Sequence, residues 1–330
     1  MTLLRKLLPR NCKIFDTSSL PPECIIQMLQ GQNINQNDII CLNNADVWRY
    51  GDDPGLLEFF AQCPATILIF HLGYQYRKIL DRVHEIPWPI FFFTRIKQTE
   101  TFDSKPKGLP WGVGCLNNKF NIHRLMLGYQ LWSRKLIPNM VFTQNNVEDS
   151  VQGFHRVMLD RLPGFEEYES LLPIQWAEPK NYNSRVDCSV DHDAYSKCYA
   201  NIVTETEAQS FYYPRTVVNT PIVTEKSYKP FLSGQIPLYL AADGHLAYLK
   251  NLGFRTVDAI LPDNYDQLGI IKKISALVNL VEQGRDYMES IYFDNLQEIK
   301  HNYELIHSDK VDNTIISNTK SLIDQCLSDG

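Results

Sequence analysis

The chain has 330 residues, enough for two domains at about 150 residues each. Lys plus Arg total 32 against 38 for Asp plus Glu. The net charge of −6 provides no basic excess to displace phosphate counterions and argues against a principal role in holding nucleic acid. Charged residues at 21% and hydrophobic ones at 44% are those of a folded globular chain, which argues against extensive disorder.

The opening MTLLRKLLPRN sets leucine pairs beside Arg5, Lys6 and Arg10. Its apolar runs are far shorter than a signal core or a membrane span, so a solvated first helix or a disordered start is expected. Apolar runs at Cys12–Phe15, Ile39–Leu42, Thr66–Phe70 and Ile90–Phe93 are predicted strands. Between them PPECIIQMLQG, PGLLEFFAQC and YQYRKILDRVHEI space apolar residues by three and four, the helical period. Strands alternating with helices predict a parallel α/β layer. DSKPKGLPWG, 103–112, has no periodicity and reads as a linker.

A second alternation follows. Val113–Leu116, Met140–Thr143, Ala200–Val203, Ile236–Leu240 and Phe254–Val257 are predicted strands. IHRLMLGYQLWSRKLI, Glu225–Ser233 and Gly244–Asn251 are predicted helices, the last stopped by Gly253. From Gln267 the pattern is helical. The expected organisation is thus an N-terminal α/β domain over 1–110, a second α/β domain over 111–266 and a helical tail over 267–330. No stretch approaches 18 apolar residues, so no integral membrane segment is expected. The eight cysteines are scattered without a CxxC pair and read as buried free thiols in a cytoplasmic, reducing setting.

Ligands of open α/β layers bind beyond the carboxyl ends of the strands, where helix N-termini present free N–H groups. Cations are disfavoured in a first helical turn. Yet the helix after Val113–Leu116 carries Lys119, His123 and Arg124 near its start, and the helix opened by Thr224 begins Glu225-Lys226. An anion such as a diphosphate, held between the chain and the N–H groups, would suit both; the alternative is solvated surface cations.

The segment Ile222-Val223-Thr224-Glu225-Lys226-Ser227-Tyr228-Lys229-Pro230-Phe231, closing with Gly234-Gln235-Ile236-Pro237-Leu238-Tyr239, resembles a motif of the α1,3-fucosyltransferase family. It is also similar to a wider set of bacterial, phage and viral glycosyltransferases with Glu-Lys-x-x-Lys-Pro followed by Leu-x-x-Leu-Gly-Phe. That second part stands here as Leu249-Lys250-Asn251-Leu252-Gly253-Phe254. Gly114-Cys115-Leu116-Asn117-Asn118 with Arg124 is similar to the family's strand, Asn/Ser-rich turn and helix-borne Arg. The specific part covers about twenty residues, with weaker similarity over roughly 112–266.

The resemblance implies a GT-B fold, two Rossmann-like domains facing across a cleft, with the donor nucleotide on the C-terminal one. It implies transfer of a sugar from a nucleotide-diphosphate donor to a glycan acceptor, inverting and without a metal, as in cytoplasmic polysaccharide assembly. Thr224 opens the donor-binding helix, Glu225 would accept from the ribose, and Lys226 and Arg124 would hold the diphosphate. Glu205, ending the run IVTE, stands where a strand's carboxyl end meets the donor; its alternative is a solvated loop acid. Ile222 and Val223 replace the family's usual aromatic, and Leu240-Ala241-Ala242-Asp243 stands where a Gly is usual. The donor is therefore left as a GDP- or UDP-sugar. No other cofactor is expected.

An inverting transfer needs a base for the acceptor hydroxyl. Asp46 and His71, each just beyond an apolar run, are the N-terminal candidates. Two other readings stay open. Asp191-His192-Asp193 fits the Asp-x-Asp pattern of metal-dependent GT-A transferases. Tyr74-Gln75 stands where the wider set often has Asp-Glu, which leaves room for a non-catalytic carbohydrate-binding protein with a transferase fold.

Overall fold

The computed structural model describes residues 2–17, 20–43, 53–71, 77–89, 93, 101–117, 121–145, 154–174, 192–205 and 223–328. The chain is α/β and divides into two compact units. The first comprises Met1–Thr94, Arg215–Thr224 and Lys310–Gly330; the second comprises Arg95–Pro214 and Glu225–Asp309.

In the first unit a short helix α1 (Thr2–Leu7) leads into β1 (Cys12–Asp16), α2 (Pro22–Gln30), β2 (Ile39–Asn43), α3 (Pro54–Gln62) and β3 (Thr66–His71). Both α2 and α3 start on a proline, whose fixed φ suits the first turn and whose missing N–H costs nothing there. Asp53 caps α3 by accepting from the Leu56 N–H at 2.8 Å. Ile25, Leu29, Leu56 and Phe60 from the helices meet Ile40, Ile67 and Ile69 from the strands in one core.

The sheet order is β1-β2-β3-β5-β4, where β4 (Arg77–Leu80) and β5 (Val83–Pro87) form a hairpin around Asp81-Arg82. This overturns the helix predicted across YQYRKILDRVHEI. Apolar residues at 79, 80, 83 and 86 fit a helical template, but β5 pairs parallel with β3 and the first four of its five residues are buried. Tertiary pairing outweighs the local period here. The predicted strand Ile90–Phe93 falls largely outside the described residues.

The second unit carries β6 (Trp111–Asn117), α4 (Ile122–Ser133), β7 (Val141–Gln144), α5 (Phe154–Asp160), α6 (Phe165–Ser170), α7 (His192–Ser196), β8 (Cys198–Thr204), α8 (Glu225–Leu232), β9 (Ile236–Leu240) and α9 (His245–Asn251). Its four strands are all parallel, in the order β7-β6-β8-β9. Every residue of β8 is buried, which requires cover on both faces of the sheet. Gly234 ends α8 in the left-handed region (φ +57°), and the Gln235 N–H reaches back to the Pro230 carbonyl at 2.9 Å. Gly253 does the same for α9 (φ +95°), with the Phe254 N–H on the Leu249 carbonyl at 3.1 Å.

Phe254–Val257 is not the strand its composition predicts. The Arg255 N–H donates to Asn302 Oδ1 (2.8 Å) and the Asn302 side-chain amide donates back to the Arg255 carbonyl (2.7 Å), taking the place of a neighbouring strand. Phe254 instead stacks on Phe231, with ring centroids 4.3 Å apart.

Residues 103–112 also depart from expectation. The Lys105 N–H donates to Tyr292 Oη (3.0 Å), Gly108 N–H to Glu289 (2.8 Å) and Leu109 N–H to Tyr199 Oη (3.1 Å). These side-chain acceptors satisfy a backbone without secondary structure, so the stretch packs into the second unit. The helices after residue 267 are α10 (Ile270–Glu282), α11 (Gly284–Asp294), α12 (Leu296–His307) and α13 (Lys310–Ser328). They are not one tail. The first three pack on the second unit, through α4, β6 and α8, whereas α13 belongs to the first unit and packs on β5. Among the described residues no helix is long and apolar enough to cross a membrane.

Candidate functional site

In the second unit the chain runs from β6 to β7 on one side, then returns to place β8 on the other side of β6. The winding direction therefore reverses between β6 and β8. At such a switch point the segments leaving the two strands diverge and open a crevice at their carboxyl ends, the usual ligand position of open parallel sheets. The helices following these two strands are α4, with Arg124 in its first turn, and α8, with Glu225 and Lys226 in its first turn.

Side chains tie the carboxyl edge together. Thr204 donates to Asn117 Oδ1 (2.5 Å), and the Asn117 amide donates to Gln144 Oε1 (3.3 Å), linking β8, β6 and β7 through three buried polar residues. One step on, Glu205 is fully buried and its N–H donates to the Leu240 carbonyl at the end of β9 (3.1 Å). Its own carbonyl accepts from His123 Nε2 (2.8 Å) and from an Arg124 guanidinium nitrogen (3.2 Å). The same guanidinium nitrogen donates to the Thr204 carbonyl at 2.9 Å.

The Glu205 carboxylate accepts a hydrogen bond from the Ser227 hydroxyl, one residue beyond Lys226. With its proton so used, Ser227 Oγ must accept from His245 Nε2 at 3.1 Å, which fixes that imidazole's tautomer. The Tyr239 hydroxyl donates to the Ser227 carbonyl (2.6 Å). The start of α8 is thus locked to the ends of β8 and β9 and to the start of α9. Lys226 pairs with Glu225 at 2.8 Å, both partly exposed.

Burial and charge set the ionisation of these groups. Burial pulls the Arg124 guanidinium down, against the opposing pull of Glu205, Cys115 and Glu225. Burial would raise the Glu225 carboxyl, but the charge and hydrogen bond of Lys226 and the charge of Lys229 outweigh it and hold Glu225 low. His123 is pushed down to about 3, chiefly by burial and further by Arg124. It is therefore a neutral donor, not one of the first-turn cations.

A pH dependence follows from that shift. The folded pKa of about 3 lies below the ordinary value of 6.5, so between these pH values the unfolded chain binds the proton more readily. The stability linked to His123 is complete above pH 6.5 and is lost as the pH falls toward 3. Its slope is about 1.4 kcal/mol per pH unit. His245, also lowered by burial, acts in the same direction. Urea melts from pH 7 to 4 should show a shallower slope for His123→Asn than for the parent; equal slopes would contradict the assignment.

Of the residues singled out by sequence, Arg124, Glu205, Glu225 and Lys226 come together around this edge. Thr224 is buried and immediately precedes α8, within the first unit. His71 is the last residue of β3, and its side chain is not among those described. Asp46 and Asp191 lie outside the described residues, as do Lys119, Tyr74 and Gln75; Asp193 falls in α7 with its side chain undescribed. Among the described residues no cluster of three or more His, Cys, Asp or Glu could hold a metal ion.

Three participants escaped sequence reasoning: Ser227, His245 and Lys273. Lys273 is buried and donates to the Ala241 carbonyl (3.0 Å), Asp243 (3.0 Å) and the Asp266 carbonyl (2.9 Å), fixing the turn after β9. Its signal was a lysine three residues after Ile270 and four before Leu277 on the apolar stripe of α10. Buried lysines are rare unless paired.

No family model matches the chain, and no curated protein or solved structure is measurably similar to it.

Proposed function

We propose that the chain is a GT-B-type glycosyltransferase that moves a sugar from a nucleotide-diphosphate donor, a GDP- or UDP-sugar, to a glycan acceptor. One observation carries the reading: the two strands flanking the winding reversal, β6 and β8, are followed by helices with Arg124 and with Glu225-Lys226 in their first turns. Two helix N-termini and a half-exposed cation beside one crevice form an electrostatic cradle for a diphosphate. In this reading Lys226 meets the phosphates directly. Arg124, only 3% exposed and bound to the Thr204 and Glu205 carbonyls, contributes its charge from behind and holds the edge in shape.

Glu225, kept ionised by Lys226, is an acceptor for ribose hydroxyls, which donate to a carboxylate. Transfer breaks the bond between the sugar carbon and the diphosphate oxygen, so negative charge grows on the leaving group. Fixed cations there act more strongly in the transition state than in the ground state and can serve where other enzymes use a metal. Inversion needs a base for the acceptor hydroxyl, and Asp46 and His71 remain the proposed candidates.

A thermal-shift series with GDP, UDP, CMP and dTDP sugars tests the donor reading. Binding to the native state alone stabilises by mass action, about 2.7 kcal/mol at a hundredfold excess over Kd. One nucleotide class should raise the melting temperature by several degrees, and EDTA should leave that shift in place. If none of the four moves the transition at millimolar concentration, the donor reading fails.

A further inference from the structure

Away from this edge, the first unit holds a pair of thiols unlike the other described cysteines. Cys12 is the first residue of β1 and Cys41 the third of β2. In the parallel register Cys12 lies beside Ile39 and Cys41 beside Ile14, so the two cysteines are offset by two residues and share one face of the sheet. Their sulfurs are 2.9 Å apart, closer than two sulfur van der Waals surfaces normally come. Reaching the covalent S–S distance of about 2.05 Å needs β1 and β2 to shift locally as well as the side chains to rotate, because positions offset by two across neighbouring strands stand about 7–8 Å apart and disulfides span up to about 7 Å between Cα atoms.

We propose that Cys12 and Cys41 form a peroxide-responsive dithiol that closes to a disulfide. The chemistry balances with a hydroperoxide as the oxidant. The Cys12 thiolate attacks one peroxide oxygen, the O–O bond breaks, and Cys12 sulfenic acid forms as hydroxide leaves and is protonated to water. The Cys41 sulfur then attacks the Cys12 sulfur, the S–O bond breaks and a second water departs with the thiol proton. Two thiols lose two electrons and the peroxide gains them.

The order of attack follows from the surroundings. A hydrogen bond from Cys41 and the charge of Arg5 draw the Cys12 thiol down against burial, whereas burial and the Cys12 contact push Cys41 up. Cys12 also lies on the edge strand, its carbonyl held by Arg5 of α1 at 2.6 Å, whereas Cys41 is fully enclosed on β2. Cys12 is therefore the attacking thiol and Cys41 the resolving one.

The test uses the intact native chain and limiting hydrogen peroxide, with alkylation under denaturing conditions. The eight alkylatable thiols should fall to six and return to eight after dithiothreitol. Combined cleavage by trypsin and before Asp38 separates Cys24 from Cys41, and mass spectrometry should find Cys12 joined to Cys41 with the loss of two hydrogens. In Cys41→Ser the sulfenic acid of Cys12 should persist and be trapped by dimedone. Retention of all eight thiols by the oxidised parent, or linkage of other cysteines, would overturn the proposal. Both outcomes are read on the parent protein and do not depend on how any variant folds.

Discussion

Lys226→Ala should lower sugar transfer by about a hundred- to a thousand-fold, the usual effect of removing one group that stabilises developing negative charge. The fold should survive. The Lys226–Glu225 pair is partly exposed, and such pairs contribute about 0–1 kcal/mol. A cation in the first turn opposes the helix dipole, so its removal returns a few tenths of a kcal/mol (about 0.3). Stability should therefore change by less than about 1 kcal/mol while the rate collapses. Initial rates with whichever nucleotide sugar shifts the melting temperature, set beside urea melts of the same preparation, separate the two effects. Normal turnover would remove Lys226 from the leaving-group role. Loss of the melting transition would show that it acts structurally.

Arg124→Met inverts that pattern. Methionine approximates the length of the arginine stem but offers no donor, and the Thr204 and Glu205 carbonyls both lose the bond that Arg124 supplies. Glu205, fully buried, also loses the nearby positive charge. Hydrogen bonds from a charged group contribute about 1.5–3 kcal/mol each, and two are removed here. The expected result is a fall of that size in urea-derived unfolding free energy. Arg124→Lys should recover only part of it, because the shorter ammonium keeps the charge but not the rigid planar group that sets one nitrogen between the Thr204 and Glu205 carbonyls. A loss under about 1 kcal/mol would show that the guanidinium is not needed to hold this edge.

The elements that were legible in the sequence are those whose local pattern agrees with their packing. The residues of β1, β2, β3, β6, β8 and β9 are short apolar runs bounded by turn residues, and they are strands. Helices α2, α3, α8 and α9 carry their starts or stops in the sequence as Pro, Asp53, Gly234 and Gly253. The β4–β5 hairpin was illegible because its apolar spacing fits a helix and its pairing with β3 is a long-range event. Phe254–Val257 misled in the opposite sense, since Asn302, 47 residues from Arg255, supplies the hydrogen bonds a sheet would have given.

The candidate site divides in the same way. Arg124 and Lys226 were visible because a cation in a first helical turn opposes the helix dipole, Glu205 because it ends an apolar run, and Glu225 through the family resemblance of its segment. Ser227 and His245 were not, because a serine in a helix and a histidine near a turn are ordinary in isolation. Their meaning comes from meeting Glu205, 22 residues before Ser227 along the chain.

Length and charge indicated two domains, without a boundary, and argued against a principal role in holding a polyanion. The sequence by itself determined the α/β class, most element positions and the first-turn residues of α4 and α8, because each of these is set by neighbours within a few positions. Only the tertiary structure decided that β6 and β8 flank the winding reversal, that Arg124 is buried against strand ends, and that α13 returns to the first unit while α10 to α12 remain with the second. Strand order and burial arise from contacts between residues far apart in the chain, and a local period carries no record of which distant strand a segment will meet.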